Sequence, residues 1–95
     1  MRSLDPAEAY RRAQNGELRI LDLRTRAERR RLGAPPGSAH VSLLQHVAHP
    51  EGEDVVYLCQ HAVRSKLALR NGAAEVAGGF KAWSEAGLPV EHPEG

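Results

Sequence analysis

The chain has 95 residues, of which 41% are hydrophobic and 26% are charged, and its formal net charge is +1. This length and composition predict one folded domain over residues 1–95 rather than a disordered chain. The near-neutral charge excludes an electrostatic case for binding nucleic acid or a membrane surface. The one cysteine excludes an internal disulfide. Because there is neither an apolar leader nor a run of ~20 apolar residues, we expect a cytoplasmic protein.

Hydrophobic runs, caps and turn residues predict strands and helices that alternate along the chain. In order, the predicted elements are a helix over 6–14, a strand over 18–23, a helix over 26–32, a strand over 39–43, a strand over 55–59, a helix over 63–70, a strand over 74–77 and a helix over 80–86. This alternation predicts an α/β fold with a small, mainly parallel sheet of about four to five strands and helices on both faces.

Two helix starts are marked by capping residues. Asp5 is suited to cap the first helix, Pro6 fits its first position, and Glu8 stands where a capping-box carboxylate belongs. Thr25 and Glu28 form a second capping box, so we expect a structural rather than a catalytic role for Glu28.

The clearest strand runs from Val55 to Cys59 and consists of β-branched, aromatic and other apolar residues without alternation. That pattern is typical of a strand covered on both faces of a parallel sheet. Cys59 therefore falls at the carboxyl end of a strand, where open α/β sheets bind ligands. A short loop, Arg64 and a predicted helix start follow, and both the arginine and the helix amides favour an anion such as a thiolate.

The spacing of Cys59 and Arg64 separates two chemistries. Cysteine phosphatases have five residues between cysteine and arginine, whereas this chain has four, and Ser65 occupies the next position. A tighter loop suits a smaller cargo, such as one sulfur atom added to the cysteine. On the residues alone, a small buried hydrophobic side chain is the alternative role for Cys59.

The sequence resembles the rhodanese family of single-domain sulfurtransferases over nearly its whole length. The segments that carry the resemblance are Ile20-Leu21-Asp22-Leu23-Arg24, Gly33 with Pro36-Gly37 and His40-Val41, the loop Cys59 to Ser65, and Ala77-Gly78-Gly79-Phe80-Lys81-Ala82-Trp83 followed by Gly87-Leu88-Pro89. Ala62 departs from the pattern, because the family loop often has glycine there. Ala34 also replaces a usual histidine.

The resemblance implies a thiosulfate sulfurtransferase of the rhodanese type, in which Cys59 takes a sulfane sulfur as a persulfide and passes it to cyanide or a thiol. The residues expected to bind the anion are Gln60, His61, Ala62, Val63, Arg64 and Ser65. The expected partners are a small-molecule donor and acceptor, with a sulfur-carrier or thiol protein as a further candidate. The alternatives are a non-catalytic sulfur-carrying or partner-binding module and, less favoured, a cysteine phosphatase or arsenate reductase.

Asp22 lies at the end of the strand over 18–23 and Arg24 follows that strand, so both are expected to support the site from the same sheet edge. Asp22 either orients the cysteine loop or pairs with Arg24, and the structural role is favoured. The scattered histidines show no metal-ligand spacing with Cys59, so no metal or cofactor is expected.

The sequence favours structural roles for one pair of aromatic residues and for one group of arginines. Phe80 and Trp83 lie three residues apart on one predicted helix and are expected in the core. The arginines of the helix over 26–32 are expected to form a solvated basic face, with an acidic partner or tRNA as the alternative. They are Arg26, Arg29, Arg30 and Arg31.

Overall fold

A computed structural model describes residues 2–41, 55–60 and 74–92. Its five strands form one sheet in which every neighbouring pair is parallel, in the order β1-β5-β4-β2-β3. The strands are β1 (Arg2–Leu4), β2 (Arg19–Asp22), β3 (Ala39–His40), β4 (Val55–Leu58) and β5 (Ala74–Val76). The predicted α/β class and parallel sheet are confirmed.

Three helices belong to the described residues: α1 (Pro6–Gln14), α2 (Arg26–Leu32) and α3 (Gly79–Glu85). Their starts follow from local chemistry, since the Asp5 carboxylate accepts a hydrogen bond from the amide of Ala7 at 3.0 Å. Glu8, expected in a capping box, instead accepts hydrogen bonds from Arg11 and Arg12. These bonds hold the pKa of the Glu8 carboxyl below its ordinary value.

The second predicted capping box is confirmed. The Thr25 hydroxyl accepts from the amide of Glu28 at 3.1 Å, and the Glu28 carboxylate accepts from the amide of Thr25 at 2.8 Å. This reciprocal pair satisfies two backbone donors and fixes where α2 begins, directly after β2 and the turn that carries Arg24.

The core lies on both faces of the sheet, because alternate residues of a strand point in opposite directions. On one face, Ile20, Val56 and Val76 pack with α1 and α3. On the other, Leu21 and Tyr57 form a second buried cluster. All four residues of β4 are buried, as its unbroken apolar sequence predicted.

Helix α3 is anchored by its two aromatic residues, whose predicted core positions are confirmed. Phe80 and Trp83 are both buried. The Tyr10 ring of α1 meets the Trp83 ring edge to face at 5.8 Å, and Trp83 Nε1 donates to the carbonyl of Pro89 at 2.9 Å. This hydrogen bond attaches the segment after α3 to the same core.

Strand β1, which pairs with β5 at the sheet edge, is not among the predicted elements. Three residues carry too little pattern to predict a strand, and pairing with a distant segment decides it. The strand predicted over 18–23 is observed over Arg19–Asp22, and the strand predicted over 39–43 is observed over Ala39–His40. Residues 42–43 and the predicted helix over 63–70 lie outside the described residues.

Gly78 and Gly87 flank α3 and offer a matched test of how tightly it is seated. Both have positive φ, +73° and +71°, but a Cβ on Gly78 would lie 2.7 Å from the Ala82 Cβ, whereas one on Gly87 would meet nothing within 4 Å. Gly87→Ala should lower the free energy of unfolding by about 1–2 kcal/mol. Gly78→Ala should lower it by about 1–3 kcal/mol more, because it also overpacks the helix. Urea denaturation followed by circular dichroism measures both, and equal losses would contradict the close packing.

Candidate functional site

Cys59 lies immediately after β4, at the carboxyl edge of the sheet. In the β2–β4 register, Asp22 is opposite Leu58, so β2 and β4 end side by side. The amide of Leu23 donates to the carbonyl of Leu58 at 2.8 Å and extends this pairing by one residue. Cys59 and the residues after β2 therefore meet at one edge of the sheet.

The first turn of α3 holds the backbone of Cys59 and Gln60. The amide of Phe80 donates to the Cys59 carbonyl at 2.7 Å, and the amide of Lys81 donates to the Gln60 carbonyl at 3.1 Å. The first amides of a helix have no acceptor within the helix, so they need acceptors from elsewhere. Here those acceptors are the first two residues of the cysteine loop.

The side chain of Cys59 is buried, with 1% of the residue exposed. Burial by itself assigns no chemistry, since cysteine is among the residue types most often found inside proteins. The position of the residue is more informative, because the carboxyl edge of a parallel sheet is where such folds place reactive groups.

A buried ion pair lies next to this segment. Asp22 and Arg24 are 0% and 1% exposed, and Arg24 Nη2 donates to Asp22 Oδ2 at 2.8 Å. The Nε and the backbone amide of Arg24 both donate to Asp22 Oδ1 at 3.0 Å. The Asp22 carboxylate thus fixes both the side chain and the backbone of Arg24, and the expected pairing of these two residues is observed.

Arg29 of α2 is the second cation on the same carboxylate. It is buried, and its Nη1 donates to Asp22 Oδ2 at 3.1 Å. The expectation of a solvated four-arginine face is wrong at this position, because the helix turns Arg29 inward to a buried anion. Arg26, Arg30 and Arg31 are exposed as expected. Among the described residues, two guanidinium groups therefore share one carboxylate, and the cations of the cluster outnumber its anions.

The guanidinium of Arg24 has three further neighbours. Its carbon lies 4.0 Å from the centre of the Phe80 ring, its Nη2 donates to the carbonyl of Gly33 at 2.7 Å, and its Nη1 donates to Gln60 Oε1 at 3.3 Å. His40 Nε2 donates to the Arg24 carbonyl at 2.8 Å. Arg24 therefore connects β2, the cysteine loop and α3.

Four of the predicted site residues come together at this edge: Asp22, Arg24, Cys59 and Gln60. The remaining predicted site residues, His61, Ala62, Val63, Arg64 and Ser65, lie outside the described residues. The expected absence of a metal stays a prediction. Within 2–41, 55–60 and 74–92, no group of three or more His, Cys, Asp or Glu side chains could hold an ion.

Sequence reasoning missed Phe80, Gly33 and Arg29 as neighbours of the site. The sequence predicts only a core position for Phe80, whereas in the structure its ring also contacts the guanidinium of Arg24. Arg29 had a weak signal in the sequence. Helix α2 has few apolar residues, so a polar side chain with a long apolar stem had to fill part of its inner face.

Residues 5–86 match the family described as "Rhodanese-like domain". The chain belongs to the rhodanese-like domain family. The match includes every element that builds the edge around Cys59, from α1 through α3, so the expected resemblance is confirmed for the fold.

Solved structures agree with this assignment of a rhodanese-like fold. A rhodanese-related protein from Thermoplasma volcanium is 23% identical, with a TM-score of 0.81 over 98% of this chain and 100% of that chain. A protein of unknown function from Rhodopseudomonas palustris, described as a possible tyrosine phosphatase, is 30% identical, with a TM-score of 0.78 over 96% and 85%.

A thiosulfate sulfurtransferase from Pseudomonas aeruginosa is 25% identical to this rhodanese-like domain, with a TM-score of 0.74 over 98% of this chain and 20% of that chain. Comparison with curated proteins gives no significant match. None of the described helices is long and apolar enough to cross a bilayer.

The shared carboxylate should dominate the stability of this edge. Asp22→Asn removes the one negative charge of the cluster and leaves two buried guanidinium groups, so the free energy of unfolding should fall by about 3–5 kcal/mol. The control is Glu85→Gln, which breaks the exposed pair with Lys81 and should change stability by less than about 1 kcal/mol. Urea denaturation measures both. A loss for Asp22→Asn as small as the control's would show that the buried pair is not stabilising.

Proposed function

We propose that this rhodanese-like protein is a sulfurtransferase in which Cys59 carries the transferred sulfur as a persulfide. One observation carries the proposal. The chain's single cysteine follows a buried central strand, and hydrogen bonds from α3 fix its backbone at the carboxyl edge of the sheet. A nucleophile needs such a fixed position to meet a small donor and then an acceptor in the same geometry.

The proposed reaction has two steps. The Cys59 thiolate attacks the outer sulfur of thiosulfate, the sulfur–sulfur bond of the donor breaks, and sulfite leaves with the bonding electrons. The product is a persulfide anion on Cys59. Cyanide then attacks the terminal sulfur and leaves as thiocyanate, which returns the thiolate. A thiolate acceptor would take the sulfur in the same way, so neither step requires a cofactor.

The loop after Cys59 is proposed to hold the persulfide charge. Backbone amides over 60–65 would act on the terminal sulfur as an oxyanion hole acts on oxygen, and Arg64 would bind the anionic end of thiosulfate. The four-residue gap between Cys59 and Arg64 supports this assignment, because it favours a ring sized for one sulfur atom.

Thiosulfate is proposed as the donor on two grounds. It is the donor that the family resemblance implies, and one structural neighbour is itself a thiosulfate sulfurtransferase. This chain matches only 20% of that neighbour, so the activity of the larger protein supports the donor class alone. A thiol or sulfur-carrier protein as acceptor and a cytoplasmic location are proposed with it.

The first prediction is the covalent intermediate itself. Intact mass measured after incubation with thiosulfate should increase by one sulfur atom in the wild type, because Cys59 is the only thiol. Cyanide should remove that increment and release thiocyanate. The control, Cys59→Ser, should neither gain the increment nor turn over.

The two failures of this experiment have different meanings. If a persulfide forms but thiocyanate release matches that of Cys59→Ser, the protein is the alternative expected from the sequence, a sulfur-carrying module without turnover. If no mass increment appears with thiosulfate or polysulfide, sulfur transfer through Cys59 is refuted.

Phosphate-ester hydrolysis is the second candidate, favoured by the Rhodopseudomonas palustris neighbour described as a possible tyrosine phosphatase. The spacing of Cys59 and Arg64 opposes it, because four intervening residues make a smaller loop than the five of cysteine phosphatases.

The phosphatase candidate is tested with an aryl phosphate. We expect the wild type to release phosphate no faster than Cys59→Ser, because the four-residue spacing favours a group smaller than a tetrahedral phosphoryl group. Release that depends on Cys59, together with no persulfide, would reverse the order of the two candidates. Assaying both reactions on one preparation makes the comparison direct.

A further inference from the structure

Arg24 contacts Gln60, the residue after Cys59, and Phe80, whose amide holds the Cys59 backbone. Its Nη1 donates to the side chain of Gln60, the residue that follows Cys59, at 3.3 Å. Its guanidinium stacks at 4.0 Å on the ring of Phe80, whose amide donates to the Cys59 carbonyl at 2.7 Å. One guanidinium thus contacts both the Cys59–Gln60 segment and the helix residue whose amide holds it.

The guanidinium itself is held rigidly. It is fully buried, two of its nitrogens donate to Asp22, and Nη2 also donates to the Gly33 carbonyl at 2.7 Å. Arginine has only donors, so the carboxamide of Gln60 must present its oxygen to Nη1. The contact therefore fixes which way the Gln60 side chain lies as well as its position.

Arg29 provides a comparison within the same cluster. It shares the Asp22 carboxylate, but its other hydrogen bonds go to the hydroxyl and the carbonyl of Ser38. Both arginines are buried and both pair with Asp22, but among the described contacts only Arg24 reaches Gln60 and Phe80. If Arg24 affects Cys59 by more than its contribution to stability, substitutions at Arg24 should change the reactivity of Cys59 and substitutions at Arg29 should not.

We infer that Arg24 is a positioning residue for Cys59, acting through Gln60 and Phe80 to hold the first residues of the cysteine loop in the geometry that stabilises the anionic sulfur. The reaction that this geometry serves rests on the proposed function. The positioning role of Arg24 does not depend on which reaction Cys59 performs, because it concerns the reactivity of the thiol itself.

Lysine cannot replace Arg24 in this role. Its single ammonium has no planar fork, so it cannot contact Asp22, Gly33 and Gln60 at once while stacking on Phe80. Arg24→Lys keeps the charge of the cluster and removes the geometry. Gln60→Ala removes the other half of the contact without touching the ion pairs, and Arg29→Lys is the matched control.

The experiment measures the rate of alkylation of Cys59 by iodoacetamide as a function of pH. The chain's one cysteine makes the signal unambiguous. Urea denaturation of each variant identifies the conditions under which all are folded. At neutral pH, Arg24→Lys and Gln60→Ala should each react about fivefold or more slowly than wild type, which is the size of effect expected when one hydrogen bond is lost. Their pH profiles should move to higher pH.

Arg29→Lys should stay within about twofold of the wild-type rate, with an unshifted profile, even though it also weakens the buried cluster. The double variant Arg24→Lys/Gln60→Ala should react no more slowly than the slower single variant, because the two residues act through one contact. Additive losses, or equal effects of Arg24→Lys and Arg29→Lys, would overturn the inference. If Arg24→Lys does not fold, an unchanged profile in Gln60→Ala alone would also overturn it.

The alkylation experiment separates this inference from the proposed function. If the wild type forms no persulfide but the alkylation profiles differ as stated, the sulfurtransferase proposal fails and the positioning role of Arg24 stands. If persulfide forms in the wild type and Arg24→Lys has the wild-type alkylation profile, the reverse holds.

Discussion

The rest of this edge of the molecule depends on the Asp22 carboxylate and the two buried arginines that share it. A buried charge is tolerated only when it is paired and hydrogen-bonded, and here one anion faces two cations. Arg24 also donates to Gly33 and Gln60, and Arg29 also donates to Ser38, whereas the buried Nε of Arg29 has no acceptor among the described residues. These hydrogen bonds bring separate segments of the chain to one place.

A similar need for acceptors links the cluster to Cys59. Helix α3 begins with amides that require acceptors, and the backbone carbonyls of Cys59 and Gln60 supply them. Phe80 lies at this junction, with its amide on the cysteine segment and its ring under Arg24. The backbone of Cys59 is thus fixed by hydrogen bonds as well as by apolar packing.

Much of this could be predicted from the sequence where the signal is local. The unbroken apolar run ending at Cys59, the capping box of Thr25 and Glu28, and the pairing of Phe80 with Trp83 depend on neighbouring residues, and each is observed. Strand β1 and the burial of Arg29 could not be predicted in this way. The segment Arg2–Leu4 becomes a strand only by pairing with β5, and Arg29 turns inward on a short basic helix because Asp22 and Ser38 offer it acceptors there.

The sequence by itself determined the α/β class, the family and the position of the lone cysteine at a strand's carboxyl end, because periodicity, caps and motif order are properties of nearest neighbours. The sequence also placed Arg24 at this edge, but only the tertiary structure decided which groups Arg24 contacts and that Arg29 joins it. Arg24 reaches Gln60, 36 residues away in the chain, while Arg29 reaches Ser38 and Arg30 faces solvent. Those choices follow from long-range burial of charge, which no local pattern encodes.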